Sequence, residues 1–299
     1  MKCTIQKADF ADIHTDIIRS ESIGNGVQKM GYKSRVDWCD STWSPVTGCL
    51  HGCEYCYARR IAERFEPYEI YDPEMALQRH AIANKQLIGL GAPYVLDFPW
   101  QQRNKNGTIQ NAPYPFGFVP TFHRYKLDEP QKWKKPRTIF VCSMADLFGE
   151  WVPDEWIRAV LDACEAAPQH RYLFLTKNPE RYTKYGVPID FDNTWYGTTI
   201  TCNADANLFN YLPAFCHTFV SIEPLHDNIA DKHNIMFRQV DWFIIGAETG
   251  KRNGRIIPQK AWVDKICEAA DACKKPVFMK ESLRDLMGDD FRQEFPWEV

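Results

Sequence analysis

The stretch VTGCLHGCEYCYARR, Val46 to Arg60, sets Cys49, Cys53 and Cys56 in a C-x3-C-x2-C pattern. Cysteine thiolates are soft ligands that select zinc, copper(I) or iron–sulfur clusters over hard cations. A structural zinc takes four closed ligands, and the nearby fourth candidate, His51, lies two residues from Cys49 inside the same tight loop. A 4Fe-4S cluster takes one protein ligand per iron, so three cysteines leave one iron open to a small molecule. Two readings follow. One is an iron–sulfur centre with a free corner; the other is a non-catalytic zinc-stabilised module that binds nucleic acid or protein. Gly48 and Gly52 allow the loop to turn tightly in either case.

Such a loop needs a scaffold. From Thr138 onward, apolar runs alternate with amphipathic stretches of helical period. The runs are TIFVCS (138–143), RYLFLT (171–176), TWYGTTI (194–200), HTFVSIE (217–223), DWFIIGAE (241–248) and PVFMKE (276–281). Between them lie PDEWIRAVLDACEAA (153–167), NPERYTKY (178–185), NADANLFNYL (203–212) and PQKAWVDKICEAADAC (258–273). Alternating strands and helices predict βαβ crossovers and a mostly parallel sheet, whose strands read as near-continuous apolar runs because both faces are covered. Polar residues gather just after the runs: Ser143 and Asp146, Thr176 and Lys177, Thr201 and Asn203, Glu223, Glu248, Lys280 and Glu281. Ligands of parallel α/β sheets sit at the carboxyl ends of the strands, so these positions predict one shared site.

Tyr55 immediately before the last cysteine, and Tyr57 opening the amphipathic YARRIAERF, complete a signature that resembles the radical SAM superfamily. The resemblance covers most of the chain. DWCDSTWSPVTGC, IFVCSMADLF, APQHRYLFLTKNPERY, WYGTTIT, FVSIEPL, DWFIIGAETG and PVFMKE look like a phage- and prophage-associated branch of unassigned function, and SIEP is similar to wording in spore photoproduct lyase, a DNA-repair member. Many members of the branch carry a longer gap between the first two cysteines, whereas this chain has the standard three-residue gap.

The resemblance implies an α/β fold, a partial (βα)6 TIM-like barrel of the radical SAM type with an inserted capping segment. It implies a 4Fe-4S cluster on Cys49, Cys53 and Cys56, with S-adenosylmethionine (SAM) chelating the fourth iron. It further implies reductive cleavage of SAM, with an electron donor such as flavodoxin or ferredoxin, and a 5′-deoxyadenosyl radical that abstracts hydrogen from a substrate. By position, Ser143, Met144 and Asp146 match contacts to the methionine amino group, although the family's Gly-Gly-Glu wording is absent. Thr201 and Asn203 match ribose contacts, and Tyr55 adjoins the cofactor. Glu223, Glu248 and Lys280 orient SAM or substrate, or else form structural ion pairs. Cys202, just beyond a strand end, is placed to return a hydrogen atom to a product radical, whereas Cys142 alternates to the opposite face.

Composition narrows the partners. With 36 basic against 39 acidic side chains the formal net charge is -3, so no global cationic field recruits nucleic acid or anionic membrane. A local basic stretch, HRYKLDEPQKWKKPRT (123–138), interleaves cations with Tyr125 and Trp133, as backbone tracking and base stacking require. The stretch also reads as a solvated linker into the second strand. The resemblance to the phage branch and the repair lyase implies a nucleobase or nucleic acid, as in phage DNA modification or repair, as the candidate substrate, with a small molecule as the alternative. No apolar leader or eighteen-residue apolar run is present, which predicts a cytoplasmic protein without a membrane anchor. The remaining eight of the eleven cysteines are scattered singly and read as small core side chains. The whole chain, 1–299, is expected to be one domain with an insertion at 67–137. That insertion is predicted to hold a helix over 74–89 and to lack a core of its own.

Overall fold

The expected runs do become strands, and a seventh joins them. The computed structural model describes residues 36–65, 69–70, 94–184, 193–229 and 236–298. Its strands are β1 (Ser41–Trp43), β2 (Val46–Thr47), β3 (Glu69–Ile70), β4 (Tyr94–Leu96), β5 (Gln101–Arg103), β6 (Ile109–Asn111), β7 (Thr121–His123), β8 (Thr138–Val141), β9 (Arg171–Thr176), β10 (Thr194–Thr199), β11 (His217–Ile222), β12 (Trp242–Ile245) and β13 (Val277–Met279). Four helices matter below: α1 (Tyr57–Arg64), α2 (Asp154–Glu165), α3 (Glu180–Lys184) and α4 (Lys260–Ala272). Residues Tyr32–Val299 group as one compact unit. The helix expected over 74–89 lies outside the described residues.

Seven strands form one sheet in the order β1-β8-β9-β10-β11-β12-β13, every neighbouring pair parallel. Right-handed crossovers between sequential parallel strands put all the helices on one face, and the sheet covers its other face by curling into part of a barrel. Alternation along each strand sorts the side chains accordingly. Val141, Phe174, Tyr196, Val220, Phe243 and Val277 point outward and pack with Trp156 and Val160 of α2 and Val263 and Ile266 of α4. Phe140, Leu173, Trp195, Phe219, Trp242 and Phe278 point inward and pack with Trp38, while Phe295 and Trp297 close over them. The Trp242 indole donates to the Glu294 carbonyl at 2.9 Å, tying the C-terminal segment under the barrel.

This aromatic plug fills the amino end of the barrel. Gly197 makes room for it, since a Cβ there would fall 2.4 Å from the Phe219 ring. Toward the carboxyl ends the same inward parity delivers Glu223, Gly246 and Lys280, and a Cβ on Gly246 would lie 3.1 Å from both Glu223 and Lys280. The interior therefore runs from apolar floor to polar mouth.

Two expectations change. NADANLFNYL forms a 3-10 run, Asn203–Tyr211, instead of an α-helix. Asn and Asp compete with the backbone for hydrogen bonds, and Pro213 disfavours helical geometry in Leu212. The insertion also carries a small apolar cluster, Leu96, Trp100, Ala112 and Phe116, under the three-stranded sheet β2-β7-β4. Among the described residues no helix is long and apolar enough to cross a membrane, and all ten described cysteines are free.

Candidate functional site

Strand pairing brings the cysteine loop to the mouth. β1 lies against β8, and β2 leads from it into the loop. The Gly48 N–H donates to the Met144 carbonyl at 2.9 Å, and the Cys49 N–H to the Phe118 carbonyl at 3.2 Å. Gly48 has φ +86°, and a Cβ would lie 2.3 Å from the Val119 carbonyl oxygen. Gly52 reverses the chain again at φ +69° with open space around it. Cys56 is the N-cap of α1, and its sulfur accepts the Arg59 N–H at 3.3 Å. Cys49 and Cys56 pack on the same apolar group, Ala58, Ala62 and Phe118, together with Tyr114 and Met144.

All three cysteines are partly exposed. Burial pushes the Cys49 thiol up to about 12, partly offset by the His51 backbone N–H and reinforced by the nearby Asp146, Cys56 and Cys53. A neutral thiol is therefore the resting state of Cys49 in the bare loop, and a bound cation would reverse that preference. Among the described residues no three His, Cys, Asp or Glu side chains converge on a single metal ion. A 4Fe-4S cube sets each thiolate on its own iron, and three soft thiols from one tightly turned loop are a donor set that suits it.

Asp146 turns out to hold the loop. Its Oδ1 accepts from the Phe148 N–H at 3.0 Å and the Thr176 hydroxyl at 2.7 Å. Its Oδ2 accepts from the Lys177 N–H at 2.9 Å and from His51 Nε2 at 2.7 Å. A carboxylate has about four acceptor positions, so this one has none left for a cofactor amino group. Of its expected companions, Met144 packs against the cysteines and Ser143 supplies its carbonyl to the Tyr57 hydroxyl at 2.9 Å.

Other expected residues line the mouth. Lys280 Nζ lies 2.8 Å from both carboxylate oxygens of Glu223, each side chain about a quarter exposed. Thr201 donates its N–H and hydroxyl to Asp205, both at 2.7 Å. Asn203 Nδ2 donates to Asp227 and to the Asn228 carbonyl, while its buried Oδ1 has no hydrogen-bond partner among the described residues. The Cys202 sulfur is 3.8 Å from Asp205 Oδ2. Cys142 packs in the outer core instead, where burial pushes its thiol up to about 12.

Tyr55 connects the loop to two residues that the sequence left unread or unassigned. Lys177 Nζ sits 5.5 Å above its ring, and the His226 ring meets it edge-on at 5.5 Å. His226 Nε2 is buried and lies 3.5 Å from Glu248 Oε2. Glu248 is held below the usual carboxylate range by bidentate hydrogen bonds from Arg252, at 2.7 and 2.8 Å. Arg252 also reaches Glu54 in the cysteine loop at 3.2 Å. His226 and Arg252 lie in irregular loops, where no periodic pattern could have flagged them.

The basic stretch 123–138 starts at the end of β7, where the His123 ring bonds Thr47 at 2.8 Å just before the cysteine loop. It enters β8 from its amino end, and its rings are engaged: Arg137 covers Trp133 at 4.6 Å, and the Tyr125 hydroxyl meets His123 Nδ1 at 3.3 Å.

A family model described as "Protein of unknown function (DUF5131)" matches residues 33–284. No curated protein matches the chain. Among solved structures, a cysteine-to-serine variant of spore photoproduct lyase is 10% identical with a TM-score of 0.48, over 83% of this chain and 78% of that one. A variant of the same lyase with bound AdoMet and dinucleoside spore photoproduct is 10% identical with a TM-score of 0.45, over 79% and 75%.

Proposed function

The chain belongs to the DUF5131 family, and from the place of its cysteine loop we propose that it is a radical SAM enzyme. The observation that carries this reading is the loop itself: three partly exposed cysteines at the polar mouth of a sequentially ordered parallel barrel. Cys49, Cys53 and Cys56 would hold a 4Fe-4S cluster, leaving one iron for SAM. Bound there, the pair would supply reductive radical chemistry for hydrogen abstraction from the substrate.

The chain's own residues bind, orient and exclude water. The aromatic floor of Trp38, Trp195, Trp242 and Trp297 closes the barrel below the mouth and keeps solvent from entering there. Lys177 is the ammonium nearest Tyr55, and it is placed to receive an anionic group of SAM. Asn203 Oδ1, without a hydrogen-bond partner among the described residues, provides a further ligand contact at the end of β10. Glu223 and Lys280, directly over Gly246, face the substrate. Cys202 remains the candidate hydrogen donor, with an electron donor such as flavodoxin or ferredoxin as the partner. A nucleobase or nucleic acid, in phage DNA modification or repair, is the proposed substrate class, resting on the SIEP wording.

Anaerobic purification and reconstitution test the reading. A brown protein with about four irons per chain, which cleaves SAM to 5′-deoxyadenosine under dithionite, is the expected result. Cys53→Ala should abolish that cleavage. A colourless protein carrying one zinc would sink the assignment. Transfer of deuterium from labelled nucleosides or DNA into 5′-deoxyadenosine would identify the substrate class.

A further inference from the structure

We propose that His51 and Asp146 form a clamp that sets the conformation of the cysteine loop before any cluster is bound, so that both are positioning residues for the iron ligands. The inference deepens the iron–sulfur reading above and rests on it. Asp146 gathers four donors from three parts of the chain: its own β8–α2 connection through Phe148, the end of β9 through Thr176 and Lys177, and the cysteine loop through His51. Its residue is 5 % exposed, and two of the four donors are backbone N–H groups whose directions the strands and turns fix. With both carboxylate oxygens accepting, His51 completes the set by donating Nε2–H to Oδ2.

His51 is the one side chain of the loop that this carboxylate captures, and it stands midway between Cys49 and Cys53. Fixing its ring therefore limits both flanking ligands at once. The other side of the ring meets the Trp151 edge at 4.8 Å and 80°. Gly149 makes that placement feasible, since a Cβ there would fall 2.4 Å from the Trp151 ring. The backbone pairing of Gly48 with Ala145 anchors the loop's first ligand, and the Cys56 cap anchors its last. Among the described residues no backbone hydrogen bond ties 50–55 to the sheet, and the clamp holds the first half of that span while Glu54 and Tyr55 meet Arg252, Lys177 and His226 in the second. Groups that orient metal ligands without touching the metal commonly matter as much as 10–100-fold in metal retention.

The test uses the full chain, reconstituted anaerobically as wild type, His51→Gln, His51→Leu and Asp146→Asn. Iron passing to a ferrous chelator is followed by absorbance, the dithionite-reduced cluster by electron paramagnetic resonance, and the iron-free proteins by thermal melting. Glutamine places an N–H donor near the position of Nε2 and should keep iron and spectrum close to wild type. His51→Leu and Asp146→Asn should release iron roughly 10–100 times faster, with an altered spectrum. The iron-free His51→Leu protein should still fold, because Phe148, Thr176 and Lys177 continue to donate to Asp146. Should Asp146→Asn fail to fold, the glutamine–leucine contrast still decides. His51→Leu retaining iron and spectrum like wild type overturns the clamp alone, and so does equal loss from both His51 variants. A wild type that takes up no iron overturns the iron–sulfur reading itself and the clamp with it.

Discussion

Replacing Gly48 by alanine probes how tightly the mouth of the barrel is built. At φ +86° an L-residue pays about 1–2 kcal/mol for left-handed backbone. Its Cβ would also stand 2.3 Å from the Val119 carbonyl oxygen, 1.1 Å inside the 3.4 Å at which ordinary contact begins (3.4 − 2.3). The obstructing atoms are backbone, in the segment whose Phe118 carbonyl accepts from Cys49, so no rotamer change relieves the contact. Forced overpacking of this kind costs about 1–3 kcal/mol. The two effects together predict a loss of about 2–5 kcal/mol, which for a chain of this size lowers the melting temperature by about 10 °C. Gly52→Ala is the control, because it carries the same backbone strain at φ +69° with nothing within 4 Å. It should lose only about 1–2 kcal/mol, or about 4 °C. Differential scanning calorimetry of the iron-free proteins measures both. If the two variants melt within about 2 °C of each other, the close approach of Gly48 to Val119 is not a constraint in solution and the argument fails.

Burial pushes the His123 imidazole down to about 3, while its ring bonds Thr47 at 2.8 Å. The unfolded chain takes up that proton as pH falls through about 6.5, so the stabilisation is complete above 6.5 and is lost progressively toward 3. By pH 4.5 the loss reaches about 2.7 kcal/mol at 1.36 kcal/mol per unit. Urea midpoints at pH 7.5 and 4.5 should therefore differ more in wild type than in His123→Gln, and equal differences refute the assignment. Arg252→Ala leaves the Glu248 side chain, 2 % exposed, without its bidentate partner and should destabilise by about 3 kcal/mol in urea unfolding. Arg252→Ala combined with Glu248→Gln should recover part of that loss, and no recovery would mean the cost lies elsewhere. Gly197→Ala drives a methyl into the Phe219 ring inside the aromatic floor and should cost about 3 kcal/mol. A loss below about 1 kcal/mol would show that the floor repacks freely.

Much of this architecture can be read from local pattern. The six apolar runs after residue 137 all became strands, within a few residues of their expected ends, because continuous apolar character is a property each segment carries by itself. β1 was hidden, since its three residues sit in DWCDSTW among polar neighbours and pair with β8, 98 residues further along (139 − 41). The spacing of Cys49, Cys53 and Cys56 was equally legible, as was the glycine before the first of them.

What the linear order determined is thus the thiol set, the strand–helix alternation and the polar residues at strand ends. The tertiary structure alone decided what those polar residues do. Asp146 was expected to meet a ligand and is instead filled by donors from three segments, while Lys177, His226 and Arg252 acquire their places through Tyr55 and Glu54 of the cysteine loop. The reason is physical: secondary structure follows a repeat of two or of 3.6 residues along one segment. The saturation of a buried carboxylate instead depends on which distant backbone N–H groups the folded sheet brings within hydrogen-bonding distance.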